Sequence, residues 1–205
     1  MKKLAQRLTL AALCGSLLTG CATVGHAPVT ALIFNTSPLS HLALAGRLAM
    51  LDRLTAAYRR VVPQAVLDEL RAGESAHPPL ADIRNADWLE VVACDGLAEL
   101  QAFAHYVQVL GAGLRDVGEA SVLAWAEVNG GIAVIDERAG TQAGQARGVA
   151  VHGTLWLIAN GLNVGELLLP EAERLVDQLR STGARLPCSG AEFFEWAKTQ
   201  GLLRP

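Results

Sequence analysis

Short apolar runs alternate with longer amphipathic segments along this chain. The run at residues 31–34 (ALIF) is followed by a small polar cluster and Pro38, and the run at 132–135 (IAVI) is followed by Asp136 and Glu137. Short apolar runs bounded by polar or turn residues are typical of buried strands, whereas apolar positions three and four apart predict helices. Their alternation predicts an α/β fold with three layers (α/β/α) and a central, mostly parallel sheet.

The other predicted elements continue this alternation. Shorter strands are expected at residues 59–62, 88–92 and 149–151, the second of them at a sheet edge. The predicted helices share apolar positions at helical spacing and are bounded by glycine, proline or polar residues: 39–45, 48–57, 63–73, 98–110, 116–129, 137–147, 154–160, 167–181 and 191–200.

The segments after Leu167 have two possible roles. They either close the sheet or form the surface of a homodimer. Their large apolar residues are expected in the core rather than at an interface: Leu175, Leu179, Phe193, Phe194 and Trp196.

Composition narrows the functional classes only slightly. The chain has 205 residues and 51% apolar content, which suits one domain with a packed core and argues against disorder. The formal net charge of −3 provides no global basic field. Any binding of nucleic acid must therefore depend on a local basic patch or on metal ions.

The first residues have the layout of a bacterial lipoprotein signal. Basic residues precede an apolar run at 8–18, and Leu-Thr-Gly-Cys occupies 18–21. We expect residues 1–20 to be a signal peptide and Cys21 to become the lipidated first residue of the mature protein. The apolar run is too short for a permanent transmembrane helix.

Two localisations follow from this N-terminus. If the signal is used, residues 21–29 form a short linker and the protein is a membrane-anchored lipoprotein, held only through Cys21. If the true start lies near Val29, the domain is cytoplasmic. The sequence leaves both open.

Polar side chains recur near the predicted strands. Because strand-to-helix junctions of a parallel sheet face the same side, these groups are predicted to share one cleft. They are Asn35, Thr36, Ser37, Glu69, Glu119 and Asp136. Clustered carboxylates repel unless they are protonated or bridged by a cation, and oxygen ligands favour Mg²⁺ or Mn²⁺. Such an ion can activate water against a phosphodiester.

Ordinary structural roles compete with this interpretation. Asp116 and Glu119 lie at a predicted helix start, where acidic residues favour the helix dipole. Asp136 could cap the helix that follows it. Thr36 or Ser37 is expected to cap the helix that Pro38 begins.

Five short motifs, in this order, resemble the PIN-domain superfamily. They are NTSPL at 35–39, VPQAVLDEL at 62–70, DVGEASVLA at 116–124, IAVIDER at 132–138 and VHGTL at 151–155. More narrowly, they resemble an uncharacterised branch of toxin-type nucleic-acid-binding proteins with a D/N-T-S-P-L motif. The resemblance predicts a PIN-like domain over residues 30–186 and a C-terminal helical extension at 187–205.

The resemblance implies a ribonuclease that depends on Mg²⁺ or Mn²⁺ and cuts single-stranded RNA. The partners it implies are single-stranded RNA and, if the protein is the toxin of a toxin–antitoxin pair, a small antitoxin. The four metal positions fall on Asn35, Glu69, Glu119 and Asp136, of which the last three would be catalytic. Glu137 stands where the branch has a second acid, and Arg138 matches a basic residue that could contact phosphate.

Asn35 departs from the acidic residue usual at the first metal position. An amide oxygen can still bind a metal, but the loss of one negative charge weakens ion binding. A non-catalytic PIN-like module that binds nucleic acid or protein is therefore the main rival. A lipid-anchored envelope protein with a reused PIN-like fold is a third possibility.

Overall fold

The structure, a computed structural model of the chain, describes residues 29–111 and 116–204. The predicted signal peptide, Cys21 and the linker up to residue 28 lie outside these residues, so those expectations remain predictions. None of the described helices is both long and apolar enough to cross a membrane.

The described residues contain a five-stranded sheet in which all neighbouring strands are parallel. The strands are β1 (Ala31–Phe34), β2 (Arg59–Pro63), β3 (Glu90–Val92), β4 (Ile132–Val134) and β5 (Ala150–His152), in the order β3-β2-β1-β4-β5. The predicted three-layer α/β/α class and the edge position of β3 are thereby confirmed.

Ten α-helices flank the sheet in the described part of the chain. Their bounds are α1 Thr36–Leu44, α2 Leu48–Leu54, α3 Gln64–Gly73, α4 Ala81–Arg84, α5 Leu97–Leu110, α6 Val117–Asn129, α7 Arg138–Ala146, α8 Thr154–Asn163, α9 Leu169–Ser181 and α10 Phe193–Thr199. Short α4 was not predicted. It follows a 3₁₀ turn at Pro78–Leu80.

β1 is the central strand, and its sequence explains why. Leu32, Ile33 and Phe34 are all fully buried, so both faces of the strand are covered. A continuous apolar run, rather than an alternating one, is what a parallel strand covered by helices on both faces requires. The edge strand β3 is more exposed, and half of Val91 is accessible to solvent.

The strand order changes direction between β1 and β4. The chain first runs outward through β2 and β3, then returns to place β4 on the other side of β1 and β5 beyond it. In open α/β sheets, ligands bind in the crevice outside the carboxyl ends of the strands at such a switch point. Asn35 follows β1 there, and its backbone N–H donates to the backbone carbonyl of Val134 in β4 at 3.1 Å.

The C-terminal helices pack onto the domain. α10 contacts α8 and α9, and α8 contacts α2. Leu175, Leu179 and Phe193 are buried as predicted. The same prediction was wrong for Phe194, which is 39% exposed. Phe193 and Ala197 are one turn apart and face the core, so the next residue after Phe193 is rotated toward solvent.

Candidate functional site

Glu69 links three elements at the carboxyl edge of the sheet. It lies on α3, which begins directly after β2. The Thr36 hydroxyl at the start of α1 donates to Glu69 Oε2 at 2.5 Å, and the Gly118 amide at the start of α6 donates to Oε1 at 2.8 Å. These two charge-assisted hydrogen bonds fix the Glu69 carboxylate at the switch-point crevice.

Glu137 is held in a similar way from the other side of the crevice. The Asn35 side-chain amide donates from Nδ2 to Glu137 Oε2 at 3.1 Å, and the Ser37 hydroxyl donates to Oε1. Glu137 thus connects the end of β1 to the end of β4. Sequence analysis predicted only a secondary role for Glu137, whereas in the structure its charge acts on both Glu119 and Asp136.

The predicted capping role of Thr36 or Ser37 was wrong. The N-cap of α1 is Asn35, and no side-chain cap hydrogen bond forms there among the described residues. Pro38 removes one of the first-turn amide donors that a cap would satisfy. The two hydroxyls instead donate to the carboxylates across the crevice, which are stronger acceptors.

Glu119 lies in an unfavourable environment for a negative charge. It lies in the first turn of α6 and is 8% exposed. Its Oε1 is buried and has no hydrogen-bond partner among the described residues. Burial, followed by the negative charges of Glu137, Asp116 and Glu69, raises the pKa of Glu119 to about 7. A favourable interaction with the helix dipole, which is the structural role predicted for Asp116 and Glu119, therefore does not explain why Glu119 is buried near other carboxylates.

Asp136 serves a different structural purpose. The backbone amide and the hydroxyl of Thr154 donate to its two carboxylate oxygens, both at 2.7 Å. Asp136 thus anchors the start of α8 and not the helix that follows it, whose N-cap is Glu137. Asp136 is exposed to solvent within a concave surface. Burial by the surrounding protein, and then the negative charge of Glu137, raise the pKa of its carboxyl, whereas the hydrogen bonds from Thr154 and the charge of His41 lower it.

Three glycines make room for three of the acidic side chains. A Cβ atom at Gly118 would lie 2.7 Å from Glu69 Oε1, and one at Gly153 would lie 2.7 Å from an oxygen of Asp136. At Gly140 on α7 a Cβ would overlap the Glu119 carboxylate. Sequence reasoning missed these residues, although Gly118 and Gly153 lie inside the DVGEA and HGT motifs.

The crevice widens into a cleft of about 630 Å³ beside Asp136 and Glu137. His41 of α1, the exposed Arg138 and the chain after α9, including Arg185, line its other walls. His41 Nδ1 lies 2.8 Å from the Thr182 hydroxyl oxygen, and burial lowers the pKa of His41 against the opposing charges of Asp136 and Glu137. The predicted phosphate contact of Arg138 remains a prediction.

The donor chemistry of this crevice fits a hard divalent cation. Among residues 29–111 and 116–204, no three His, Cys, Asp or Glu side chains are already gathered around one metal position. The four predicted ligands therefore do not form a closed cage. Two buried oxygens, Asn35 Oδ1 and Glu119 Oε1, nevertheless lack hydrogen-bond partners within the described part, and both belong to residues that were predicted to bind metal.

Comparison with known proteins supports the same interpretation at the level of the family. A family model described as a PIN domain matches residues 31–192, which include the five-stranded sheet and every residue of the crevice. No curated protein matches the chain, and no solved structure matches it. The PIN domain is a fold of nuclease type whose members generally depend on divalent metals. The match covers most of the sequence, and the chain belongs to the PIN-domain family.

Proposed function

We propose that this protein is a nuclease that depends on Mg²⁺ or Mn²⁺ and cleaves single-stranded RNA. The observation that carries this proposal is that two buried oxygens without hydrogen-bond partners in the described residues, Asn35 Oδ1 and Glu119 Oε1, lie near the carboxylates of Glu137 and Glu69. They lie at the switch point of a PIN-domain sheet.

The residues divide into ligands and positioning groups. Asn35 Oδ1 and Glu119 Oε1 are the first ligands because neither makes a well-formed hydrogen bond in the described structure, where the Gly140 backbone amide is the donor beside the Glu119 carboxyl. Glu69 and Glu137 complete the acidic set. Each would give up one of its present hydrogen bonds to bind the cation. A bound divalent ion supplies Lewis-acid stabilisation of the phosphate charge and lowers the pKa of water.

The remaining polar side chains of the crevice keep these ligands in place. Thr36 and Ser37 orient Glu69 and Glu137 through their hydroxyl hydrogens. Asp136, which the sequence predicts as a ligand, is assigned a positioning role because Thr154 ties both of its oxygens to the start of α8 and because, unlike Glu69 and Glu137, it is not among the charges that act on Glu119. It fixes the segment after β4 from which the Glu137 side chain enters the crevice.

A negatively charged protein must attract RNA locally. The cleft that Asp136 and Glu137 line also contains the exposed side chains of Arg138 and Arg185. Two arginines and a metal-binding group beside one cleft give a phosphodiester two kinds of attachment. This arrangement supports a nucleic-acid substrate despite the net charge of −3.

The rival function is a PIN-like module that binds RNA without cutting it. Asn35 favours this rival. An acidic residue at this position would add a fourth negative charge to those of the three glutamates. The Asn35 side-chain amide instead donates a hydrogen bond to Glu137 and offsets part of its negative charge. The rival predicts RNA binding that is indifferent to Mn²⁺ and to the charge of Glu119.

Cleavage of end-labelled single-stranded RNA tests the proposal. The wild-type protein is incubated with Mn²⁺, with Mg²⁺ and with EDTA, beside Glu119→Gln and the matched control Glu195→Gln on the exposed side of α10. We expect metal-dependent cuts from the wild type and the control and none from Glu119→Gln. Cleavage by Glu119→Gln at the wild-type rate, or none by the wild type with either metal, would overturn the nuclease proposal.

A further inference from the structure

A second cavity lies on the other side of Asp136. It encloses about 360 Å³ and has an aromatic wall formed by His152, Trp156 and Trp196, with Arg185 and Gln200 at its edge. This volume lies near the lower end of the range for small-molecule sites. It suits one planar ring system and is too small for a base pair with its backbones.

The aromatic wall is ordered by its own contacts. The rings of His152 and Trp156 stack with centroids 4.4 Å apart and planes inclined by 7°, and Tyr58 packs edge-on against Trp156. Trp156 and Trp196 are half-buried, so each combines a fixed ring with an accessible surface. A rigid aromatic wall of this kind loses little conformational entropy when another ring packs against it.

The two cavities are neighbours along the surface. Asp136, Arg185 and Leu186 line both the acidic cleft and the aromatic cavity. A nucleotide with its phosphate in the acidic cleft can therefore extend its base past Asp136 into the aromatic cavity. Arg185, exposed between the two, is placed for the phosphate that joins them.

We propose that the aromatic cavity is a base-binding subsite. It takes one unpaired nucleobase of single-stranded RNA against Trp196 and Trp156 while Arg185 contacts the adjacent phosphate. Aromatic side chains bind unpaired bases in this way because every base offers a π face. This proposal rests on the proposed function for its substrate, but it concerns binding and can fail separately from cleavage.

Binding is measured in EDTA, so that neither metal nor cleavage contributes. The probe is a fluorescein-labelled single-stranded RNA followed by anisotropy, with Trp196→Leu compared with Phe194→Leu. Phe194 is a suitable control because it lies on the same helix but is exposed beside a different cavity. We expect Trp196→Leu to weaken binding about tenfold and Phe194→Leu to leave it unchanged.

An oligonucleotide with abasic sites separates base binding from phosphate binding. Trp196→Leu should weaken binding of the ordinary strand only, whereas Arg185→Ala should weaken binding of both strands. Arg174→Ala, an exposed arginine on α9, is the matched control. Equal effects of Trp196→Leu on the two strands would overturn the assignment of the cavity to a base.

The unmutated protein provides a measurement that does not depend on folding of a variant. Adenosine monophosphate should quench its tryptophan fluorescence, and ribose 5-phosphate should not. Trp196→Phe, which keeps an aromatic ring, should restore RNA binding toward the wild-type level. Absence of quenching, or equal quenching by both compounds, would contradict the subsite.

Cleavage assays distinguish failure of this proposal from failure of the nuclease function. If the wild type cuts RNA but Trp196→Leu leaves KM and the cut sites unchanged, the subsite is wrong and the nuclease stands. If no cut occurs but Trp196→Leu still weakens binding of the base-containing strand, the nuclease is wrong and the subsite stands. If the wild type binds no RNA in EDTA and cuts none with either metal, both proposals fail.

Discussion

Asp136 and Glu119 lie at the same edge of the sheet, but the protein treats their carboxylates differently. Asp136 receives two hydrogen bonds from Thr154 and touches solvent. Glu119 is buried, has one oxygen without a partner in the described structure and lies near three other acidic residues. The first carboxylate is held by hydrogen-bond donors of the protein itself, whereas the second is arranged for a positive charge from outside.

The difference matters because buried like charges are unfavourable. Burying a carboxylate without a partner raises its pKa and destabilises the folded state. Gly118 and Gly140 let the backbone approach the carboxylates of Glu69 and Glu119 more closely than a residue with a Cβ atom could. The close packing of these two acidic side chains therefore depends on specific glycines. Such sites persist where a ligand relieves the repulsion.

The largest effect is expected when Glu119 is displaced. Gly140→Ala places a methyl group where the Glu119 carboxylate lies, and a misplacement near 1 Å lowers activity by about 100-fold. The RNA cleavage rate measures this, with Gly96→Ala at the start of α5 as the control for the glycine substitution itself. Unchanged cleavage in Gly140→Ala would mean that the position of Glu119 is irrelevant to activity.

Removing the charge of Glu119 should stabilise the metal-free protein. The folded-state pKa of about 7 exceeds the ordinary value of 4.5, so stability falls as pH rises between them and stays reduced above pH 7. Glu119→Gln should therefore raise the free energy of unfolding by about 3 kcal/mol at pH 8 and by nothing at pH 4.

Urea denaturation in EDTA at both pH values measures this gain. Glu195→Gln, whose side chain is exposed, should show no gain at either pH. Equal stability of Glu119→Gln and the wild type at pH 8 would show that the Glu119 carboxylate is not under electrostatic stress.

Asn35→Asp should make the acidic group a stronger cation site. The substitution adds a negative charge beside Glu137 and removes the amide donor that now partly neutralises it. Calorimetric titration should show Mn²⁺ affinity increased about tenfold. The metal-free variant should also melt at a lower temperature. Unchanged affinity would place Asn35 outside the cation site.

The smallest effect is expected on the Asp136 side. Thr154→Val removes the hydroxyl hydrogen bond, but the Thr154 backbone amide still holds the other oxygen of Asp136. Cleavage should fall by about tenfold, the lower end of the range for residues that orient a site from outside it. Thr154→Ser should restore the rate. A complete loss of activity in Thr154→Val would assign Asp136 a more direct role.

The sequence predicted the strands and the shared edge because both follow from chain-level patterns. The apolar run at 31–34 needs cover on both faces, and parallel strands bring Asn35 and Glu137 to one side. Glu69 and Glu119 followed from the same argument. These features depend on the direction of the backbone and not on the orientation of a particular side chain.

Side-chain orientation at the ends of strands could not be predicted in the same way. Asp136 and Glu137 are adjacent acids after β4, and only the turn geometry decides that Glu137 meets Asn35 while Asp136 meets Thr154. The close packing of Gly140 against Glu119 likewise depends on how α6 and α7 come together. Both are long-range contacts that leave no local pattern in the sequence.

Direct Mn²⁺ binding to Glu119→Gln and Asp136→Asn, measured side by side with the wild type, tests the central comparison most directly. Titration calorimetry should show affinity lowered much more by Glu119→Gln than by Asp136→Asn, for which the loss should be no more than about tenfold. The opposite order, with Mn²⁺ binding lost in Asp136→Asn and retained in Glu119→Gln, would contradict the assignment of the cation to the buried carboxylates.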